Sequence, residues 1–340
     1  MQSYVSYFKL NTFGQKLLHL LFNSQRVKNY TVQRYTHQHN QLWNSFLEGS
    51  KNGTFLFHRD FMEYHSDRFS DYSLIVFEND KPKALFPANH SNDTVYSHQG
   101  LTYGGIIVSE DCKLTHFLTI FETILDFLKK EYKKLYIKVL PNIYNSTFSD
   151  ELLYGLFLQN ATLVRRDTFS VIDLEKPIKI SNSRKYEIKK GVEHQIEIQQ
   201  TSDFSDFWNN VLTPNLNQKY KVNPVHSLDE ITYLHSKFPN NITQFNALYK
   251  GQLVAGATMF VTNRVAHVQY ISSTELRTTT GALDYLFDYL IKFYKDKVDY
   301  FDFGTSNENQ GRSLNEGLLF WKESFGAKTV VQDFYELALE

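Results

Sequence analysis

An aspartate inside an apolar strand is the first residue of this sequence that could do chemistry. Residues 300–304 read Tyr-Phe-Asp-Phe-Gly, and the alternation of a β-strand places Asp302 on a different face from Phe301 and Phe303. A carboxylate in such a strand is costly unless it is paired or faces a groove. We therefore predict that Asp302 contacts a substrate or accepts a proton from it. Three polar residues that follow are candidates for the same roles, namely Ser306, Asn307 and Glu308.

A lysine on the next predicted helix, 314–325, is the second candidate. Lys322 lies between Trp321 and Glu323, with Phe325 one helical turn further on. A buried ammonium directed at a carbonyl would stabilise the negative charge that develops there, and losing such a donor typically costs about 3 kcal/mol. From spacing alone, the alternative is a solvent-facing lysine. For Glu308 the alternative is likewise a solvated side chain, because this residue lies in a polar loop.

A loop rich in hydroxyl groups precedes the helix predicted over 281–294. Hydroxyls, backbone amides and the start of a helix together can hold phosphate groups. The alternative is an ordinary helix start with a threonine cap. The residues that would form a phosphate site here are Arg277, Thr278, Thr279, Thr280, Gly281 and Ala282.

Two further segments have the composition of ligand-binding surfaces. Residues 97–105 contain three glycines together with His98 and Tyr103, which favours close approach of a ligand to the backbone. The alternative is a β-turn with ordinary bulges. Residues 184–191 are basic, and Arg184 and Lys189 could contact phosphates. For this segment the alternative is a solvated run of charges.

The elements that must position these residues occur in the same order twice. Each half of the chain reads as a strand, helices, a β-hairpin, a strand, a helix, a strand, a helix and a strand. Two copies of a mixed α/β unit explain the length better than one large sheet would. We therefore predict an α/β fold with α+β-type mixed sheets in two domains, 1–175 and 176–340. The boundary falls near Pro177, where a polar run interrupts the periodicity.

Composition narrows the function classes. The chain has 340 residues, of which 42% are apolar, and its net charge of −1 gives no support to a nucleic-acid partner. One cysteine, Cys112, excludes an intrachain disulfide framework, and the scattered histidines do not predict a metal site. No apolar run is long enough to span a membrane. These features predict a cytoplasmic protein with no metal and no DNA partner.

The N-terminal region is the compositional exception. No acidic residue precedes Glu48, whereas several lysines and arginines do, and residues 8–22 form an amphipathic run. Such a run can pack on the core of its own domain. The alternative is peripheral contact with an anionic membrane through residues 8–28.

The segment Asn315–Gly326 resembles the C-terminal helix of acyl-CoA N-acyltransferases of the GNAT superfamily. The GNAT helix reads roughly Asn-x-x-Ala-x-x-x-Tyr-x-x-x-Gly, and Asn315, Leu318 and Gly326 take the first, second and last positions. Lys322 stands where the tyrosine would be. With this lysine, the sequence Trp-Lys-Glu-Ser-Phe-Gly is similar to the aromatic-Lys-x-x-Phe-Gly pattern of the FemAB-like branch.

The resemblance implies two tandem GNAT-like domains, with a donor bound where the fifth strand separates from the fourth. It implies that Lys322 lies near the transferred acyl carbonyl. It also implies that the loop before helix 281–294 holds the CoA pyrophosphate, although Thr280 replaces the middle glycine of the usual pattern. The acceptor contacts expected from the resemblance are His98, Tyr103, Arg184, Lys189, Tyr270, Ser306, Asn307 and Trp321.

The function implied is N-acyl transfer in a bacterium, from acyl-CoA, with acetyl-CoA as the first candidate, to a primary amine. The expected acceptor is an amino sugar of a cell-surface polysaccharide or cell-wall precursor, either as a small molecule or linked to a nucleotide or lipid. One alternative is a Fem-type ligase that takes its aminoacyl group from aminoacyl-tRNA. The near-neutral charge disfavours tRNA, since nucleic-acid binding relies on positive charge. The other alternative is a binding protein of the same fold without catalysis.

Overall fold

A computed structural model of the protein describes residues 29–339 and shows a largely antiparallel sheet with helices packed on it. The predicted amphipathic segment, and with it the proposed membrane contact, lies outside these residues. The helices are α1 (Asn40–Glu48), α2 (Arg59–Met62), α3 (Leu114–Leu128), α4 (Glu151–Leu158), α5 (Asn182–Glu193), α6 (Ser205–Phe207), α7 (Thr213–Tyr220), α8 (Leu228–Lys237), α9 (Arg277–Thr280), α10 (Ala282–Tyr294) and α11 (Glu316–Glu323). A π-helical turn, Trp208–Leu212, joins α6 to α7, and short 3-10 turns include Phe55–Phe57 and Asn142–Tyr144.

The strands are β1 (Tyr30–Arg34), β2 (Ser70–Asp71), β3 (Leu74–Glu78), β4 (Lys81–Phe86), β5 (Asn89–Ser91), β6 (Thr94–Tyr96), β7 (Ile107–Val108), β8 (Lys134–Lys138), β9 (Thr162–Asp173), β10 (Glu197–Thr201), β11 (Ile242–Tyr249), β12 (Gln252–Val261), β13 (Val265–Ser273), β14 (Tyr300–Thr305), β15 (Asn307–Glu308), β16 (Ser313–Leu314) and β17 (Lys328–Ala338). Eleven of them form one sheet in the order β10-β11-β12-β13-β14-β9-β17-β8-β6-β5-β2. A second sheet has the order β1-β3-β4-β7, and β15 pairs with β16.

The predicted repeat is visible in the strand directions. Within the large sheet, β13 runs parallel to β14 and β6 runs parallel to β8, and the other strand pairs are antiparallel. Each parallel pair is connected through a long helix, α10 in the second half and α3 in the first. Both halves therefore contain the same β-α-β crossover, and the predicted mixed α/β class is confirmed.

The two halves exchange their last strands. Strand β9, which ends the first half, pairs with β14 of the second, and β17, which ends the chain, pairs with β8 of the first. Strands β9 and β17 also pair with each other over most of their length. Two units are present, as predicted, but the expectation that they replace one large sheet is wrong. They are fused into a single sheet across this shared pair of strands.

Three local elements lie outside what the sequence pattern predicts. Phe55–Phe57 is a 3-10 turn whose rings pack in the core. The hairpin of β5 and β6 was not predicted, because its strands have three residues each. Helix α5 was interpreted only as a basic segment. It begins at the cap Ser181, whose hydroxyl accepts from the amide of Arg184, and it has little apolar periodicity.

The halves pack against each other through aromatic side chains. Phe55 of the first half lies 5.4 Å from Phe238 and 5.7 Å from Phe260 of the second, measured between ring centroids. Phe61 packs on the same two rings. Buried apolar surface of this kind holds domains in one relative position. Side chains from both halves are therefore available to a site at their interface.

Candidate active site

The strands β13 and β14 separate part of the way along. They pair in parallel at three positions only, Val265 with Tyr300, Ala266 with Phe301 and His267 with Asp302. Beyond His267, β13 continues to Ser273 without pairing to β14. The chain of β14 turns at Gly304, whose φ is +72°. A gap therefore opens between these strands, at the place where the resemblance predicts one.

Asp302 lies at the point where the strands part and is fully buried. Its Oδ1 accepts from the backbone amide of Gly304 at 2.7 Å. Its Oδ2 accepts from the Tyr144 hydroxyl at 2.8 Å and lies 2.8 Å from His267 Nδ1. Three donors around one carboxylate supply the compensation that a buried charge requires.

Tyr144 brings the first half of the chain into this site. It ends the 3-10 turn Asn142–Tyr144, and burial, followed by the negative charge of Asp302, raises its pKa well above the ordinary tyrosine value. Its hydroxyl therefore stays protonated and acts as a donor. The ring lies 4.8 Å from that of Tyr103, whose hydroxyl donates to Thr54 Oγ1 at 3.1 Å. Burial likewise raises the pKa of Tyr103.

His267 is the site residue that sequence reasoning missed. Because a charged carboxylate only accepts hydrogen bonds, the contact with Asp302 places the ring proton on Nδ1 and leaves the lone pair on Nε2. Nε2 has no hydrogen-bond partner within residues 29–339, and His267 borders a small cleft of about 10 Å³, the space of about one water molecule. The cleft is also lined by Phe55, Leu56, Thr102, Tyr103, Tyr144, Phe260, Thr262 and Gln269.

Lys322 is buried on α11, with 3% of its surface exposed. Its ammonium donates to the backbone oxygens of Gly304 at 3.0 Å and Thr305 at 2.7 Å. Burial lowers its pKa to about 8, and the charge of Asp302 acts in the opposite direction. The alternative of a solvent-facing lysine is therefore excluded. Two of the three ammonium protons bind the turn at the end of β14, and one remains for another oxygen.

Trp321 and Arg184 have structural partners. The indole Nε1 of Trp321 donates to Asp284 Oδ1 at 2.8 Å, and its ring lies 4.9 Å from Phe287. Arg184 forms an ion pair with the same aspartate and donates to Ser324 Oγ at 3.0 Å. These bonds tie α5, α10 and α11 together. The structure therefore does not favour the predicted acceptor contacts of these two side chains.

The loop expected to hold a CoA pyrophosphate is occupied by its own hydrogen bonds. Residues 277–280 form the helical turn α9, in which the hydroxyl of Thr278 donates to the Glu275 carbonyl at 3.0 Å. The hydroxyls of Thr279 and Thr280 donate to the Leu276 carbonyl at 3.0 and 2.7 Å. The amides of 280 and 281 donate to the carbonyls of 276 and 277. Few donors in this loop are left for a phosphate.

Helix α5 also covers the start of α10. Gly281 has a left-handed backbone with φ +66°, and a Cβ placed there would lie 2.1 Å from the carbonyl oxygen of Glu187 on α5. In the first turn of α10, Asp284 already occupies the position where a helix favours negative charge. Ala282 is fully buried, whereas Arg277 is exposed. The geometry of these residues does not fit a CoA pyrophosphate cradle.

The other residues predicted from the C-terminal half lie apart from the gap or have partners. Asn307 Oδ1 accepts from the amide of Thr168 at 2.7 Å and so fastens the β15–β16 hairpin to β9. Glu308 is exposed on that hairpin, and Lys189 is exposed on α5. Ser306 is buried, and its hydroxyl has no hydrogen-bond partner. Within the described residues, the Ser306 hydroxyl is therefore a buried, unpaired polar group beside the turn that Lys322 binds.

His98 and Tyr270 belong to a buried cluster between the halves. The Tyr270 hydroxyl lies 2.6 Å from Nδ1 of His226, and His98 lies 5.1 Å from His65 between ring centroids. Burial lowers the pKa of His65 to about 4 and that of His226 to about 3, and it holds the pKa of His98 well below the usual value. These rings are therefore neutral packing elements at pH 7.

Within residues 29–339, no group of three or more histidine, cysteine, aspartate or glutamate side chains could hold a metal ion. In the same part of the chain, no helix combines the length and apolar character of a membrane span.

Comparison with known proteins identifies the fold. No protein-family description and no curated protein matches the chain. Among solved structures, FemX is 10% identical, with a TM-score of 0.62 over 89% of this chain and 96% of FemX. A conserved protein of unknown function from Bacteroides thetaiotaomicron is 11% identical, with a TM-score of 0.57 over 92% of this chain and 100% of that one. L-PGS from Bacillus licheniformis is 13% identical, with a TM-score of 0.56 over 89% of this chain and 91% of that one. The chain therefore has the fold of FemX, and the predicted FemAB-like relationship is confirmed at the level of the fold.

Proposed function

We propose that this protein transfers an acyl or aminoacyl group to the amine of an acceptor at the gap between β13 and β14. The observation that carries this proposal is the buried Lys322 beside the Asp302–His267 pair, where the two strands of a FemX-like fold separate. A carboxylate, an imidazole and an ammonium in one buried place are costly to maintain, and a buried lysine with a lowered pKa beside such a pair is typical of functional sites.

The chemistry is attack of a neutral amine on the carbonyl carbon of an ester or thioester. A C–N bond forms, the C–O or C–S bond breaks, and the amine loses a proton. The remaining donor of Lys322 would bind the oxyanion in the tetrahedral intermediate, a contribution of about 3 kcal/mol. Most of the remaining acceleration would come from holding both substrates in reacting geometry.

An amino sugar of a surface polysaccharide or cell-wall precursor is the first acceptor class to test. Aromatic rings, such as those of Tyr103 and Phe260, border the cleft next to His267 together with Thr262 and Gln269. Sugar rings have apolar faces, which pack well on aromatic side chains. Because the cleft now has room for about one water molecule, binding of a sugar would require its walls to move apart.

The geometry of the loop 277–282 bears on the choice of donor. Because α9 and α5 leave no cradle for a pyrophosphate, this geometry supports an aminoacyl ester such as aminoacyl-tRNA as the donor more than it supports acyl-CoA. Both donors share the acyl carbonyl that the site would act on. The test therefore includes acetyl-CoA, longer acyl-CoAs and a pool of aminoacyl-tRNAs.

The experiment incubates the full-length protein with each labelled donor and a panel of amines, and it detects the amide product by mass spectrometry. Lys322→Met keeps the length of the side chain and should lower the rate about 100-fold. Lys176→Ala is the matched control, since that lysine is 77% exposed. Absence of transfer with every donor, together with retained affinity for an acceptor, would instead identify a binding protein.

A further inference from the structure

We propose that His267 is the general base of the transfer, with Asp302 and Tyr144 as positioning residues, an assignment that rests on the proposed function. His267 and Asp302 are register partners at the last paired position of β13 and β14. The structure therefore fixes the imidazole at the mouth of the gap rather than on a mobile loop.

The ring is set up to accept a proton at Nε2. The 2.8 Å contact between Nδ1 and Asp302 Oδ2 fixes both the tautomer and the plane of the ring. Only 13% of the side chain is exposed, and the residue borders the small cleft together with Tyr103 and Tyr144. A base in this position is shielded from bulk water, and an acceptor amine that parts the walls of the cleft would meet it.

Asp302 itself is poorly placed to be the base, which refines its predicted role. Its surface is fully covered, and both oxygens already accept hydrogen bonds, from Gly304 on one side and from Tyr144 and His267 on the other. It can stabilise the imidazolium that forms when His267 takes a proton. This is the division of labour between aspartate and histidine in other acyl-transfer sites.

The same backbone turn connects this pair to Lys322. The Gly304 amide donates to Asp302, and the Gly304 carbonyl accepts from Lys322. The charged and titratable groups that face the imidazole and its aspartate are therefore Lys322 from α11 and Tyr144 and Tyr103 from the first half. The imidazole and the ammonium are both anchored to the same short stretch of β14, the imidazole through Asp302 and the ammonium through the carbonyls of Gly304 and Thr305.

The proton has a complete path in this arrangement. The amine lone pair attacks the carbonyl carbon, and His267 Nε2 takes the amine proton as the C–N bond forms. When the tetrahedral intermediate collapses, the C–O or C–S bond breaks and the imidazolium returns the proton to the leaving oxygen or sulfur. No other reactant is consumed, and His267 is neutral again at the end of the cycle.

The test compares wild type with His267→Gln, Tyr144→Phe and the control His194→Gln, whose ring binds the Lys190 carbonyl and packs on Tyr249. Transfer rates are measured between pH 5 and 9 with the donor and amine that give product. His267→Gln should lower kcat by about 10²–10⁴-fold with KM changed less than about 3-fold, and the acidic limb of the profile should disappear. His194→Gln should match wild type.

Tyr144→Phe has a readout that a purely structural role would not produce. Without the tyrosine donor, Asp302 is oriented only by Gly304 and His267, so kcat should fall with KM changed less than about 3-fold. Nitrogen-15 NMR of the imidazole provides a measurement without substrates, in which wild type should show the proton on Nδ1.

The outcomes separate this inference from the proposed function. A proton on Nε2 in the wild-type NMR spectrum, or a kcat for His267→Gln within about 3-fold of wild type, overturns the role of His267 while transfer by the wild type upholds the function. Absence of transfer by wild-type protein with every donor overturns both. Loss of kcat in His267→Gln with native thermal stability establishes the base.

Discussion

Replacing Gly304 with alanine is the perturbation whose effect the structure defines most closely. The residue has φ +72°, and an added Cβ would lie 3.3 Å from Cε1 of His267. Its amide and carbonyl bind Asp302 and Lys322. The substitution therefore strains the backbone and at the same time presses on the imidazole.

The two effects can be separated by a control on the same chain. Gly251, in the turn between β11 and β12, has φ +75° and no heavy atom within 4 Å of an added Cβ. A left-handed backbone costs a non-glycine residue about 1–2 kcal/mol, so Gly251→Ala should lose that amount of unfolding free energy. Gly304→Ala should lose the same amount and more, because the histidine must also shift. A displacement well below 1 Å at a reacting group corresponds to a rate loss of about 10-fold.

Urea unfolding measures the stability of both variants, and the transfer assay measures kcat. We expect Gly251→Ala to be destabilised with a normal kcat, and Gly304→Ala to be destabilised further with a kcat lowered about 10-fold. The His267 NMR signals should shift in Gly304→Ala only. Equal stability losses in the two variants, together with an unchanged kcat, would refute the argument that Gly304 sets the position of the imidazole.

Three further outcomes follow from buried charges. Because burial lowers the pKa of Lys322 to about 8, transfer should decline above that pH, and Lys322→Arg should remove the decline in a rate profile. His65 has a folded pKa of about 4 against an ordinary value of 6.5, so the unfolded state binds protons first and stability falls as pH drops from 6.5 towards 4. His65→Phe should recover about 2 kcal/mol of the loss between pH 7 and 5, measured by urea unfolding. Arg184→Met strands the buried Asp284 and should cost about 3–5 kcal/mol by the same measurement, whereas Lys189→Ala, which breaks an exposed pair, should cost less than about 1 kcal/mol.

The sequence predicted what local pattern and motif position determine. The Tyr-Phe-Asp-Phe-Gly strand and the helix carrying Lys322 follow from periodicity. The burial of Lys322 was implied by the FemAB-like motif around it, because spacing alone left a solvent-facing lysine open. As one of several scattered histidines, His267 could not be recognised as a site residue. Its role depends on strand register, which places it beside Asp302 across 35 residues of chain. The alignment of β13 with β14 could have identified His267, because the fold makes these two strands neighbours.

Other features depend on contacts that no local pattern encodes. Tyr144 reaches Asp302 across 158 residues, through the packing of one half on the other. The exchange of β9 and β17 is decided by pairing between strands of similar length, which the alternation of either strand alone does not specify. Helix α5 buries only Arg184 and Gly191, so its sequence lacks an apolar stripe.

Comparison of the two halves explains why one gap, rather than two, is expected to be functional. In the first half, β6 and β8 also begin as a parallel pair, but the following segment, 97–104, folds back against β8. Ser97 Oγ accepts from the Lys138 amide at 2.8 Å, and the Gly104 amide donates to the Lys138 carbonyl at 2.9 Å. The Lys138 ammonium binds the carbonyls of Gln99 and Leu101. In the second half, Lys322 binds the carbonyls of Gly304 and Thr305 in a similar way. The first unit thus fills its own gap with backbone, and in the proposed reaction it would contribute Tyr144 and the wall of the cleft.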